Sequence, residues 1–170
     1  KTAGGCNAWS GLSIDRKRGI VFAATGAASF DFHGGERPGK NLYSNCVIAI
    51  DAKTGKHIWH YQISHHDLWD YDLPSPPNLV TVKKDNKTID AVAQITKQGF
   101  IFLFDRETGV PLFPVEERPV AVSKIPGEQS WPTQPFPLKP LPLNRQKFDS
   151  SVITDISPEA HEYVLQEAKK

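Results

Sequence analysis

The chain has little of what would place it in several large classes of protein. It contains two cysteines, Cys6 and Cys46, too few for a disulfide framework and at no spacing used by metal-binding pairs. Small buried residues are the ordinary use of such cysteines, and the sequence leaves open whether the two pair. Charge of one sign is also missing, since 20 basic residues stand against 19 acidic ones. With no basic stripe and no acidic tail, nothing argues for a nucleic acid or a highly charged partner. No apolar run approaches the roughly 18 residues that a helical membrane span needs. The start, Lys1-Thr2-Ala3-Gly4-Gly5, has neither an initiator Met nor an apolar signal core. It reads as a cut into a longer chain, so a missing signal peptide carries no information on compartment. The 170 residues suffice for one ordinary domain with a core of its own.

What is present falls into two unlike parts. Residues 1–115 alternate short β-rich runs with turn signals, and residues 116–170 hold a proline-rich stretch followed by a short polar segment. Pro126 to Pro142 contains Trp131-Pro132-Thr133-Gln134-Pro135-Phe136-Pro137. Proline at that density excludes helix interiors and central strands and leaves extended or polyproline II chain laid over a surface. Beyond it, Ser157-Pro158-Glu159 is a helix start, with Ser as cap, Pro at the first helical position and an acid in the first turn. A helix to about Ala168 is expected.

The β-rich part repeats itself. Asp15-Arg16-Lys17-Arg18-Gly19, Asp51-Ala52-Lys53-Thr54-Gly55 and Asp105-Arg106-Glu107-Thr108-Gly109 share the pattern Asp-x-x-x-Gly. Each sits between apolar runs: Leu12 to Ile14 and Ile20 to Ala24, Val47 to Ile50 and His57 to Tyr61, Phe100 to Phe104 and Val110 to Val115. Asp can accept bonds from the amides of its own turn, and Gly takes the left-handed conformation in which the chain doubles back. Three such hairpins predict an all-β meander of repeated units, spaced as in propeller blades of four short strands. An irregular β-sandwich shares these turn signals.

The middle hairpin, Ala49-Ile50-Asp51-Ala52-Lys53-Thr54-Gly55-Lys56-His57-Ile58-Trp59, resembles the tryptophan-docking motif of the eight-bladed propellers that bind pyrroloquinoline quinone (PQQ). In that family the small residues of the motif make room for a Trp of the neighbouring blade. The third hairpin, with Phe113 in place of Trp, is similar to a degenerate copy. Three further segments carry the resemblance toward the PQQ-dependent alcohol and sugar dehydrogenases. They are Gly4-Gly5-Cys6-Asn7-Ala8-Trp9-Ser10-Gly11, His65-His66-Asp67-Leu68-Trp69-Asp70-Tyr71-Asp72-Leu73-Pro74 and Thr96-Lys97-Gln98-Gly99. The likeness runs from Gly4 to about Pro142 and leans toward glucose and quinate dehydrogenases rather than methanol enzymes.

The resemblance implies a partial β-propeller, with residues 1–115 as two to three incomplete blades and 116–170 as an extension of the same domain. It implies Asp70 as the catalytic general base, Trp9 as the indole stacked on PQQ, and Lys97 as the cation on the quinone oxygens. A calcium ion, or a lanthanide in its place, is implied beside the quinone. Asp70 and Asp72 are its candidate ligands, on one side of the chain if that segment is extended. Methanol-type members have an Asn ligand after a Thr-Gly, whereas here Thr25-Gly26 is followed by Ala27. The substrate is then an alcohol, polyol or sugar, the electron acceptor ubiquinone or cytochrome c, and the compartment periplasmic. His65 and His66, if in a strand, face opposite sides and cannot share an ion. A non-catalytic scaffold of the same blade type, such as an outer-membrane assembly lipoprotein, would need Trp59 but not Trp9, Asp70 and Lys97 together. The isolated piece is expected to be inactive, because a ligand on a propeller axis is held by loops of many blades.

Overall fold

The computed structural model describes residues 4–169; Lys1–Ala3, part of the start read above as a cut, lie outside them. Strands β1 (Leu12–Asp15), β2 (Ile20–Ala24), β3 (Cys46–Asp51) and β4 (His57–Gln62) form one antiparallel four-stranded meander, a complete blade. Strands β5 (Asn78–Lys84), β6 (Lys87–Ile95) and β7 (Ile101–Asp105) form a second sheet, and β8 (Val115–Pro119) pairs with β9 (Thr133–Pro137) in a third. The only helix of any length among the described residues, α1 (Pro158–Glu167), begins where expected, with the Ser157 hydroxyl accepting from the Ala160 amide.

The turn chemistry holds at all three repeats. One oxygen of Asp15 accepts from the amides of Lys17 and Arg18, Asp51 from Lys53 and Thr54, and Asp105 from Glu107 and Thr108. Blade-to-blade fastening follows the docking motif. Trp59 of β4 is 7% exposed and reaches across to the third hairpin, where its Nε1 donates to the Arg106 carbonyl at 3.1 Å. Its ring covers Gly109 and packs between Phe22 and Phe104. A second fastening is ionic: the buried Asp15 accepts from Arg106 at 3.0 Å and from Arg18 at 2.9 Å. Burial pushes the Asp15 carboxyl up, but the two guanidinium groups outweigh it and hold it at about 2.

One strand expected from sequence is absent. After Gly109 the chain makes only an isolated bridge, Phe104 to Pro111, and no strand over Val110 to Val115. Val115 instead opens β8, whose partner is the proline-rich β9. Pro135 and Pro137 bring no amide hydrogen, so a two-stranded ribbon with free edges is the place where such a strand is tolerated. The ribbon packs on the second sheet through Phe136 against Phe100.

Candidate active site

Strand direction sorts the loops. The three Asp-x-x-x-Gly turns lie at one end of the sheets. Every segment singled out for chemistry lies at the other: Trp9 before β1, residues 25–45 between β2 and β3, residues 63–77 between β4 and β5, and Lys97 between β6 and β7. Four chain segments therefore converge on one edge of two neighbouring sheets.

At this edge Lys97 meets Asp70. Its Nζ donates to Asp70 Oδ2 at 3.0 Å and to the Asp70 carbonyl at 2.8 Å. Two residues on, Asp72 does a different task. Its Oδ2 accepts from the Trp9 indole at 2.6 Å and its Oδ1 from the Ala27 amide at 2.7 Å. Gly26 permits this approach, since a methyl there would stand 2.6 Å from Asp72 Oδ2 and 3.1 Å from Trp9 Nε1. The Trp9 ring is thus tethered by its nitrogen while 52% of the residue stays exposed. Ala27, which replaces the expected Asn, contributes its backbone.

The 65–73 segment is a looped turn and not a strand, which changes two expectations. Asp70 has a left-handed backbone, φ 60°, so strand alternation does not align it with Asp72; the two carboxylates face separate partners. His65 and His66 are kept apart by their bonds and not by alternation. His65 contacts Gln62 at 2.9 Å and Glu117 at 3.0 Å, whereas His66 Nδ1 contacts the Gly39 carbonyl at 2.7 Å.

Inside the loop lies Asp67, with no exposed surface. Its Oδ1 accepts from the Trp69 amide at 2.9 Å, and its Oδ2 from the Tyr71 amide at 2.6 Å and from Asn45 Nδ2 at 2.9 Å. Burial pushes its carboxyl up, more than these bonds and the nearby Arg37 charge draw it down. The buried Arg37 donates to the carbonyls of Asp67 and Phe30 and to Asn41. The sequence marks Asp67 only as part of the His-Asp-x-Trp-Asp segment, behind the site or between blades, and gives Arg37 and Asn45 no role. The sequence signal for Asn45 is an Asn directly before a strand, a residue type suited to the left-handed backbone found there, φ 48°.

A cavity of about 370 Å³ opens in front of Lys97, bordered by Trp69, Tyr71, Gln98, Phe100 and Gln146. Trp69 and Tyr71 stack with ring centres 5.5 Å apart. Ser10 Oγ and Gln98 Oε1, the neighbours of Trp9 and Lys97, are buried without a hydrogen-bond partner among the described residues. Orphaned groups of this kind call for a missing partner. The tethered, half-exposed Trp9 indole and the Lys97 cation each suit one part of a flat, oxygen-rich, anionic ring system, but only Lys97 borders the cavity. Calcium is a different matter. It takes about six to eight oxygens, and no group of three His, Cys, Asp or Glu residues stands together among the described residues. Asp70 and Asp72 by themselves are too few to hold such an ion. Both cysteines are free thiols, and burial pushes the Cys46 thiol far up, away from reactivity.

Sheets, docking tryptophan and loop edge together define a segment of a β-propeller. The family model for the β-propeller domain of PQQ-dependent glucose, ethanol and alcohol dehydrogenases matches residues 1–170. The chain is 44% identical over 137 residues to quinoprotein glucose dehydrogenase A of Acinetobacter calcoaceticus, covering 76% of this chain and 17% of that protein. It is 40% identical over 154 residues to the quinate/shikimate dehydrogenase (quinone) of Acinetobacter baylyi, covering 89% and 19%. Among solved structures, the quinohemoprotein alcohol dehydrogenase of Comamonas testosteroni superimposes with a TM-score of 0.61 at 28% identity, over 79% of this chain and 20% of that one. The chain belongs to the PQQ-dependent dehydrogenase family, and it spans about a fifth of the length of these relatives.

Proposed function

We propose that these residues form the catalytic edge of a PQQ-dependent dehydrogenase that oxidises a hydroxyl of an alcohol, polyol or sugar. The observation that carries this reading is the Asp70–Lys97 pair, 3.0 Å apart beside an open cavity. A carboxylate and an ammonium held together offer a proton acceptor and a positive charge within one small space.

In this reading Asp70 is the general base. Lys97 occupies Oδ2, and Oδ1 has no protein partner among the described residues; that oxygen takes the substrate's hydroxyl proton. General base catalysis of this kind contributes about 10²–10⁴-fold. Lys97 has two tasks: it aims the carboxylate, and its charge stabilises negative charge developing on the quinone oxygens. Trp9 supplies the stacking face, with its plane set by Asp72. PQQ, if held between the Trp9 face and Lys97, would supply an electrophilic carbonyl as the hydride acceptor. Asp70 and Asp72 each retain lone pairs for a calcium or lanthanide ion whose other ligands come from elsewhere in the protein. Electrons pass on to ubiquinone or cytochrome c, in a periplasmic setting. The isolated segment is inactive because only one edge of the pocket is present.

The testing experiment is Asp70→Asn in the full-length protein, supplied with PQQ and calcium and assayed by dye-linked oxidation of glucose, quinate and glycerol. Asn nearly matches Asp in shape but cannot take the proton. Turnover should fall by about two to four orders of magnitude with the melting temperature nearly unchanged. A variant retaining more than half of wild-type turnover would remove Asp70 from the base role. A folded wild type that neither binds PQQ nor oxidises any hydroxyl donor would favour the non-catalytic scaffold.

A further inference from the structure

We infer that Asp67 is a positioning residue, whose buried carboxylate sets the backbone of residues 69–71 so that the Asp70 carboxylate meets Lys97. The inference rests on the reading of Asp70 as the base, and it assigns Asp67 no contact with substrate.

Asp67 has no exposed surface, so no substrate hydroxyl reaches it. Yet its two oxygens collect three donors: the Trp69 amide, the Tyr71 amide and Asn45 Nδ2, at 2.9, 2.6 and 2.9 Å. The two amides flank Asp70. Holding both from one carboxylate bends the chain around residue 70 and fixes it in the left-handed region, at φ 60°. That conformation is uncommon for a non-glycine residue, less so for Asp than for most, and the two bonded amides favour it here. In that conformation Lys97 reaches both the carbonyl and the carboxylate of Asp70, so two bonds from one ammonium read the loop's geometry. The same carboxylate also ties the loop to the β2–β3 connection. Asn45 donates to it, and Arg37 donates to the Asp67 carbonyl. Asn45 in turn is anchored through its own amide, at 3.0 Å, to the carbonyl of Gly26, the residue that borders Trp9 and Asp72. The first acid of His-Asp-x-Trp-Asp thus joins the Asp70 loop to the β2–β3 connection, and the second acid meets Lys97.

Asp67→Asn tests this, because an amide has one oxygen for three donors. Its NH2 group must face at least one donor, and the loop must open there. In the full-length protein with PQQ and calcium, kcat/KM should fall about 10²-fold, the loss that displacements of about 1 Å bring. The limb of the pH–rate profile that reports the base should move as well, since the Asp70–Lys97 separation has changed. A readout without cofactor accompanies it. In crystals of the full-length Asp67→Asn protein, Lys97 Nζ should lie beyond hydrogen-bond reach of Asp70 Oδ2. Gly109→Ala, remote from the site, is the comparison: it lowers the melting temperature without moving the pH profile. Should Asp67→Asn fail to fold, Asn45→Gly removes one donor while suiting the left-handed backbone at that position, and the same shift, smaller, is expected. An unmoved pH profile with an intact Asp70–Lys97 contact overturns the inference and leaves the base assignment standing. Full turnover in Asp70→Asn overturns the base assignment itself, whatever Asp67→Asn does.

Discussion

Three glycines with one sequence role provide a matched series. Gly19, Gly55 and Gly109 close the three Asp-x-x-x-Gly turns with φ of 67°, 72° and 71°. For each, replacement by Ala puts an L-residue in the left-handed region, at about 1–2 kcal/mol. Their surroundings differ. A methyl on Gly19 or Gly55 meets nothing within 4 Å, whereas on Gly109 it stands 2.5 Å from Trp59 Cδ2 and 2.6 Å from Cε3. The indole cannot swing away, being wedged between Phe22 and Phe104 and bonded to the Arg106 carbonyl. Forcing a methyl into such packing adds about 1–3 kcal/mol, so Gly109→Ala should cost about 2–5 kcal/mol against about 1–2 for the other two. Urea unfolding of the full-length variants measures the difference. In a Trp59→Leu background the excess at Gly109 should vanish, a coupling that the double-mutant cycle isolates. If Gly109→Ala and Gly55→Ala agree within about 0.5 kcal/mol, the usual scatter of independent sites, the tryptophan does not fasten the blades as described.

Asp15 gives a pH dependence with a defined sign. Its carboxyl lies at about 2 when folded against about 3.9 unfolded, so its contribution is full above about pH 4 and is lost as pH falls toward 2. The stability gap between wild type and Asp15→Asn, followed by thermal melts from pH 6 down, should narrow in that window; a constant gap would show that Arg106 and Arg18 do not act through charge. Asp72→Ala should release the Trp9 indole and the Ala27 amide and weaken PQQ and ion binding together. Titration of the full-length variant with calcium and with lanthanum checks this, and unchanged activity with both ions would remove Asp72 from the site.

Much of the fold was legible because turn chemistry is local. An Asp whose oxygen accepts two amides of its own turn, followed by a Gly, behaves alike at residues 15, 51 and 105, and repetition then points to blades. The β5–β6 hairpin was equally readable in principle. Asp85 and Asn86, at φ 50° and 58°, form its two-residue turn, a composition suited to the primed turns of hairpins. The fate of the chain after Gly109 was not readable. Whether Val115 continues one sheet or starts another depends on β9, eighteen residues further on in sequence order from Val115 to Thr133, and nothing local at Val115 reports that partner.

The site was legible only as residue identities carried by resemblance, and the physical reason lies in how it is assembled. Its four segments come from four connections and meet only because antiparallel strands return them all to one edge. No periodicity marks such a meeting. Burial then divides the work between residues of the same type. Asp67 is fully buried and its oxygens are committed to backbone and Asn45, whereas the Asp70 side chain is 38% exposed and pairs with a lysine at the cavity. Asp72, partly exposed like Asp70, spends both oxygens on Trp9 and Ala27. Three carboxylates within six residues thus hold a loop, pair with a lysine and aim an indole. Each assignment follows from which donors surround the oxygens. The opposite edge, with its Asp-Gly turns, Trp59 and the Asp15–Arg106 pair, carries the fastening. A propeller separates the two tasks in this way because strands of fixed length keep the ends apart, so loops at one end can diverge in chemistry while the blades stay joined at the other.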